Sequence, residues 1–314
     1  NSEFEQYKEG YGKTIITGYA RIDGWAVGIV ANQRKLVKTQ KGELQFGGVI
    51  YNDSTIAIDW GMNENEFVDR ELKRIRESMK NMVDPNNVAA VIMEVVQGEG
   101  GFNVVPKKYL EGLRDFCDEF GIMLIFDEVQ SGFARTGKWA SYQHFGVTPD
   151  ISTYAKSLGS GMPISAVVGK AKAMDAAKPG TIGGTYIGNP ISCAAALATI
   201  KMMEDENLLL RGEEVGNIVM SRFEKLKSKY SQIGDVRGLG AMIAIEFVKN
   251  NDPRQPDAET CSRLVQLSAS KGLILLSAGT HKNVIRVLSP LVITNEELDK
   301  GLDIMEECLS EILG

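Results

Sequence analysis

Three polar residues each close a short apolar run: Glu94 in "IMEVVQGEGG", Asp127 in "IFDEVQSG" and Lys156 in "STYAKSLG". Within ten positions of Lys156 on either side, the only acidic residue is Asp150. Burial disfavours the ammonium form, so a buried lysine without a partner gives up its proton readily. A neutral amine of this kind attacks carbonyl carbon and, once released, carries a proton from one carbon atom to another. The same lysine at a strand end can equally reach water and do no chemistry. For each residue alone, the alternative is a strand-end charge turned to solvent. All three together, each after an apolar run, point to a site.

Such a site needs strands that end at one edge. "VAAVIMEVV" (88–96) reads as an apolar strand broken by Glu94, "IMLIF" (122–126) as a strand ending at Asp127-Glu128, and "ISTYA" (151–155) and "ISAVVG" (164–169) as two more. Helices separate them. "NENEFVDRELKRIRESMKNM" (63–82) has Phe67, Leu72, Ile75, Met79 and Met82 near helical spacing and stops at Asp84-Pro85. "PKKYLEGLRDFCDEFG" (106–121) opens on Pro and closes on Gly. "MIAIEFV" (242–248), "LILLS" (273–277) and "VIRVL" (284–288) read as later strands, before a capping box at Thr294–Glu297. Apolar strands alternating with helices predict an α/β chain with a mostly parallel, helix-covered sheet, whose ligands bind beyond the carboxyl ends of the strands. The expected division is a β-rich segment over 1–55, a large domain over 56–204 and a smaller α+β domain over 205–314. Within the first segment, "TIITGYARIDGWAVGIVA" (14–31) reads as two strands about an Asp23-Gly24 turn.

The bulk numbers narrow the function. The chain has 314 residues and is 43% hydrophobic, enough for a large core. Its net charge is −6 with no basic block, which argues against nucleic acid or an anionic membrane as partner. Four widely spaced cysteines form no CxxC pair, which favours a reducing cytoplasm, and two histidines are too few for a histidine-rich metal site, so no metal is expected. Residues 1–13 are mostly polar and charged, so no signal peptide is expected there. The longest uncharged stretch, Pro179–Ile200, is interspersed with Gly, Pro, Asn, Thr and Ser and reads as a loop feeding a buried helix rather than a bilayer span.

A lysine nucleophile with an acid able to pair with a ring nitrogen is the set that pyridoxal 5'-phosphate chemistry needs. A dinucleotide site fares worse, since "GEGG", "GSG" and "GLG" give no complete GxGxxG. The stretches "VVQGEGGF", "GIMLIFDEVQSGFARTGKW", "TYAKSLGSGMPISAVVG", "GTIGGTYIGNPISCAAALA", "IGDVRGLGAMIAIEF", "KGLILLS" and "VIRVLSPL" then make residues 56–314 closely resemble the class III, fold-type I aminotransferases, most of all the 4-aminobutyrate type. The resemblance implies a PLP-transferase-like fold with a smaller C-terminal α+β domain. It implies Lys156 as the Schiff-base lysine and Asp127 as partner of the pyridinium nitrogen. Gln130 then lies beside the phenolic oxygen, and Val129 packs on the ring face. Thr185 reaches the phosphate of a neighbouring subunit's cofactor, which implies a homodimer with shared sites. Arg286 receives the α-carboxylate of glutamate, and Glu99 pairs with it when an ω-amino acid lacking that carboxylate is bound; Glu94 lies on the substrate side.

Two departures stand against the family pattern. Val95 replaces a usual proline, and the family's N-terminal portion is missing, with its phosphate cup and ring-stacking aromatic. In its place, residues 2–54, above all "GYARIDGWAVGIVANQRK", resemble part of the carboxyltransferase subunit of biotin-dependent acyl-CoA carboxylases. The expected function is cytoplasmic transamination of an ω-amino acid such as 4-aminobutyrate, with 2-oxoglutarate as acceptor. The alternatives are an aminotransferase fold with impaired catalysis and, behind it, an acyl-CoA carboxyltransferase fragment.

Overall fold

The computed structural model describes residues 63–77, 84–176 and 187–314 with their side chains, together with the backbone of 78–82 and of five short N-terminal strands. Those strands are β1 (Glu5–Gln6), β2 (Ile15–Ile22), β3 (Trp25–Asn32), β4 (Val37–Lys38) and β5 (Leu44–Gln45). β2 and β3 pair antiparallel with Ile22 opposite Trp25, as the hairpin reading expects.

Helix α1 (Glu64–Met82) has Glu64 and Glu66 in its first turn, where the unpaired backbone amides favour negative charge. Phe67 and Val68 are buried, and Leu72 and Ile75 pack on the same core. The chain then gives β6 (Ala90–Met93), β7 (Val96–Gln97), β8 (Asn103–Val104), α2 (Lys107–Phe120), β9 (Met123–Asp127), β10 (Ile151–Tyr154), β11 (Ala166–Gly169) and a single turn α3 (Ala171–Met174). In α2 the buried residues Tyr109, Leu110, Leu113, Phe116 and Cys117 recur at helical spacing, and Gly121 closes the helix at φ 68°, where only glycine is unstrained. Replacing Leu113 by Ala would cost about 3 kcal/mol, because the packed wall cannot collapse onto the gap.

The first sheet has the order β11-β10-β9-β6, with β6, β9 and β10 parallel and β11 antiparallel. Asp150 pins its base. It accepts hydrogen bonds from the Leu124 amide, Arg114 and Lys170, each at 2.7–2.8 Å. Burial alone would raise its carboxyl, but these partners hold it down to about 2.

The rest comprises α4 (Pro190–Asp205), α5 (Leu208–Lys229), β12 (Ile233–Leu239), β13 (Met242–Phe247), α6 (Ala258–Ser270), β14 (Leu276–Ala278), β15 (Val284–Val287) and α7 (Asn295–Leu313). Its antiparallel sheet, β12-β13-β15-β14, packs against α5, α6 and α7 around Phe223, Phe247, Leu264 and Leu309. The capping box at the start of α7 forms, with Thr294 and Glu297 exchanging hydrogen bonds.

Three local expectations need correction. "IGDVRGL" is a strand that the apolar-run criterion passes over, because alternate positions carry polar side chains. The "LILLS" strand begins only at Leu276, since Gly272 and Leu273 are used to close α6 through their amides. Finally, α4 is buried on one face only: Ser192, Ala196 and Met203 are buried, while Ile191 and Leu197 are 65% and 70% exposed.

Candidate active site

Strand register assembles the site. Met93 is paired with Phe126 and Asp127 with Thr153, so Glu94, Asp127 and, three residues beyond Thr153, Lys156 come off the same sheet edge. Their charges interact. Burial is the main reason the Glu94 carboxyl is raised above its usual range; the charges of Asp127 and Glu99 add to it, while the Gly98 amide and Lys156 oppose it.

Lys156 opens a single 3-10 turn and is exposed, so the buried-amine reading does not hold for the chain as it stands. Its φ is 45°, a left-handed conformation that lysine rarely adopts and that is held against its own preference. Among the described residues it makes no hydrogen bond or ion pair. Asp127 is half-buried, and its Oδ1 accepts from the Val129 amide at 2.9 Å and the Thr153 hydroxyl at 3.2 Å. Among the described residues nothing donates to its Oδ2, which leaves one oriented acceptor.

Gln130 lies directly on Gly98, where an added Cβ would come within 2.4 Å of the Gln130 side-chain carbon. A side chain at position 98 would push the Gln130 amide aside. Gln130 donates to Glu99 Oε1 at 3.2 Å. Arg286, only 6% exposed, donates to Glu99 Oε1 at 2.9 Å, to Glu99 Oε2 at 3.3 Å and to the Gly98 carbonyl at 2.9 Å, and it lies over the Phe102 ring. Among the described residues its buried Nε has no partner. Glu99 by contrast is 69% exposed. Burial works to raise its carboxyl, but Arg286 and Gln130 prevail and hold it below the usual range. Thr185 lies outside the described residues. The other candidates, Glu94, Glu99, Asp127, Val129, Gln130, Lys156 and Arg286, come together.

Glu128, next to Asp127 in "IFDEVQSG", carries no local signature of its role. It is 1% exposed, and its oxygens accept from the hydroxyls of Ser131 and Ser141 and the amides of Ser141 and Tyr142, at 2.6–3.2 Å. These bonds tie down a loop in which Phe133 and Ala134 both take left-handed backbone, at φ 52° and 66°. No spacing rule marks it, because Ser141 lies thirteen positions away. Among the described residues, no group of three or more His, Cys, Asp or Glu side chains is placed to hold a metal ion.

This geometry can be set beside known proteins. The 5-aminovalerate aminotransferase DavT of Pseudomonas aeruginosa is 49% identical over 244 residues, covering 78% of this chain and 57% of that protein. The 4-aminobutyrate aminotransferase GabT of Escherichia coli is 46% identical over 243 residues, covering 77% of this chain and 57% of that protein. The chain thus spans about 57% of the length of these curated relatives. Among solved structures, taurine:2-oxoglutarate aminotransferase from Bifidobacterium kashiwanohense, in complex with PLP and glutamate, superposes with a TM-score of 0.74 at 28% identity, over 83% of this chain and 59% of that one. The mostly parallel sheet and the domain built on the antiparallel sheet, four strands each, are the PLP-transferase fold. The aminotransferase class-III family model matches residues 25–309. With that match spanning nearly its whole length, the chain belongs to the class-III aminotransferases.

Proposed function

We propose that the chain carries the pyridoxal-phosphate-dependent transamination of an ω-amino acid such as 4-aminobutyrate or 5-aminovalerate, with 2-oxoglutarate as amino acceptor. The observation that supports it best is the buried Arg286, paired with an exposed Glu99 at the sheet edge that carries Asp127 and Lys156.

The residues present fit the cofactor at its ring end, since among the described residues Asp127 offers an unused, oriented acceptor and Lys156 an unpaired amine. When bound, pyridoxal phosphate supplies a carbonyl carbon for an amine and a ring that withdraws electrons. Asp127 Oδ2 would hold a proton on the ring nitrogen, Val129 would pack on the ring face and Gln130 would lie beside the phenolic oxygen. Lys156 Nζ would bind the carbonyl carbon between turnovers. Once a substrate amine displaces it, Nζ would take a proton from one carbon and return it to another. Thr185 is proposed for the phosphate of the neighbouring subunit. Arg286 would grip the α-carboxylate of glutamate or 2-oxoglutarate through both nitrogens. With an ω-amino acid bound, Glu99 would close on Arg286, because a buried guanidinium without a counter-charge is strongly disfavoured. Glu94 would border the substrate and fix the Gly98 amide, which donates to its Oε1 at 3.1 Å.

The test is borohydride reduction of the purified protein with pyridoxal phosphate, followed by peptide mapping. Label on Lys156, with transamination abolished in Lys156→Ala, is the expected result. Label scattered over surface lysines would favour the impaired-catalysis reading.

A homodimer is also proposed. Helix α4 is apolar on nearly all sides, a composition suited to burial, yet Ile187, Ile191 and Leu197 are at least 65% exposed. Leu197→Glu should then shift the chain towards monomer in light scattering. A cytoplasmic location fits the free cysteines, three of them buried, and among the described residues no helix is long and apolar enough to cross a membrane. We propose that the chain divides at 55/56 and 204/205, which limited proteolysis would test. Residues 2–54 overlap the family match from residue 25, so the carboxyltransferase reading ranks last, and failure to bind acyl-CoA would remove it.

A further inference from the structure

We infer that Arg237 is a positioning residue for substrate selection: it clamps the backbone of loop 98–102 so that Glu99 swings onto and off Arg286 by side-chain rotation alone. The inference rests on the proposed reading of Glu99 and Arg286 as a carboxylate gate.

The loop is held by its carbonyls, one after another. Gly98 O accepts from Arg286 at 2.9 Å, Glu99 O from the Gly279 amide at 3.1 Å, Gly100 O from the Asn103 side chain at 2.9 Å, and Gly101 O from Arg237 Nε at 2.9 Å. Three of these four donors come from the antiparallel-sheet region. Arg237 is itself rigidly aimed. Its Nη1 donates to Asp235 Oδ2 at 2.9 Å and to Glu246 Oε2, and the other oxygen of Glu246 accepts from Asn283 at 3.1 Å. Asn283 is 2% exposed, and its backbone carbonyl and side chain both bond the Phe247 backbone. The fit at Gly101 is close: its φ is +100°, and an added Cβ would meet Arg237 Nη2 at 3.1 Å.

Arg286 cannot do this job alone. It binds the loop at Gly98 O and at the Glu99 side chain, and the second contact is the one a substrate carboxylate displaces. An anchor that ignores the substrate is therefore needed if the backbone is to stay still while Glu99 leaves. Arg237 touches no Glu99 side-chain atom and supplies that anchor.

The experiment compares Arg237→Met, Arg237→Lys, Glu99→Gln and the double variant Arg237→Met/Glu99→Gln. Hydrogen exchange of the peptide over 96–104 needs no cofactor or ligand. It should quicken about tenfold in Arg237→Met and less in Arg237→Lys, with the β13–β15 pairing unchanged. Binding of glutarate against valerate then reads the gate. Arg237→Met should shift the affinity ratio towards glutarate about tenfold, because a loosened Glu99 no longer neutralises Arg286 when a monocarboxylate is bound. In the Glu99→Gln background the same change should move the ratio less than about twofold, as expected of residues acting through one another. Unchanged exchange in a folded Arg237→Met overturns the inference, as does a ratio that shifts in Glu99→Gln but not in Arg237→Met. If Glu99→Gln itself leaves the ratio unmoved, the gate reading fails first. If Arg237→Met does not fold, Arg237→Lys decides by the same two measurements.

Discussion

Two loops at the site edge, one following β9 of the parallel sheet and one turning the β7–β8 hairpin, carry an acidic residue and are held by opposite means. After β9, the Glu128 carboxyl is buried and takes four hydrogen bonds, all from residues 131–142 of its own loop. After β7, Glu99 is exposed, and its backbone is gripped by donors 136 to 188 residues further along the chain. The first loop forms as its own sequence collapses. The second closes its own hairpin through Gln97 and Asn103, but three of its carbonyls gain their side-chain and backbone donors only when the antiparallel sheet has docked. The difference matches the proposed tasks. The residues flanking the cofactor ring need a fixed scaffold, whereas the choice between two substrates needs a group that moves over a fixed backbone.

The largest expected effect breaks the self-contained loop. Glu128→Ala leaves two buried amides and two hydroxyls without an acceptor and should lower unfolding free energy by about 4 kcal/mol in urea titration. A loss under about 1 kcal/mol would mean that the loop is held by something other than Glu128. Next, Arg286→Met should weaken glutarate binding about 100-fold by calorimetry, since a bidentate charged contact is removed. Glu99→Gln should cost about 2 kcal/mol in urea titration, because it leaves the buried Arg286 guanidinium without its counter-charge while solvent screens the exposed Glu99 end of the pair.

The acid side sharpens the comparison. In Asp150 the folded carboxyl sits near 2, below its ordinary value, so its contribution is complete at neutral pH and is lost as pH falls from about 4 through about 2. Asp150→Asn should flatten the acid limb of the stability curve by about 1 kcal/mol, after allowance for solvent screening. Glu94 runs the other way and gives the smallest effect. Its folded carboxyl is raised, so the native state binds more protons than the unfolded chain and stability declines as pH rises above about 4.5. Glu94→Gln should remove that decline and leave the protein unchanged or slightly more stable at neutral pH, as read from urea midpoints at two pH values. A clear loss at neutral pH would instead show that the charged form is doing a structural job.

Much of this site was legible as strand ends. Glu94, Asp127 and Lys156 each follow an apolar run, and parallel pairing in register brings such ends to one edge, so the juxtaposition follows from local pattern plus one topological rule. Val129 and Gln130 come along because they follow Asp127 directly. Arg286 and Glu99 were nameable only through family resemblance, since nothing local in "VIRVL" or "QGEGG" says that the two meet. The strand bearing Arg237 has no apolar run to mark it, because Asp235 and Arg237 interrupt it. The exposure of α4 was also misjudged, since an apolar composition gives no indication of which partner covers it.

By itself, then, the sequence determined the alternation of helices and strands, the sheet edge with its lysine and its carboxyls, and the family. Those depend on periodicity, turn chemistry and residue order, all of which act over a few positions. Only the tertiary structure decided that Glu128 is a locked internal brace, that Glu99 faces Arg286 from an exposed position, and that Arg237 reaches back to the loop bearing Glu99. Those outcomes depend on hydrogen bonds between groups up to 188 positions apart, and a contact of that kind leaves no periodic trace in either of the segments it joins.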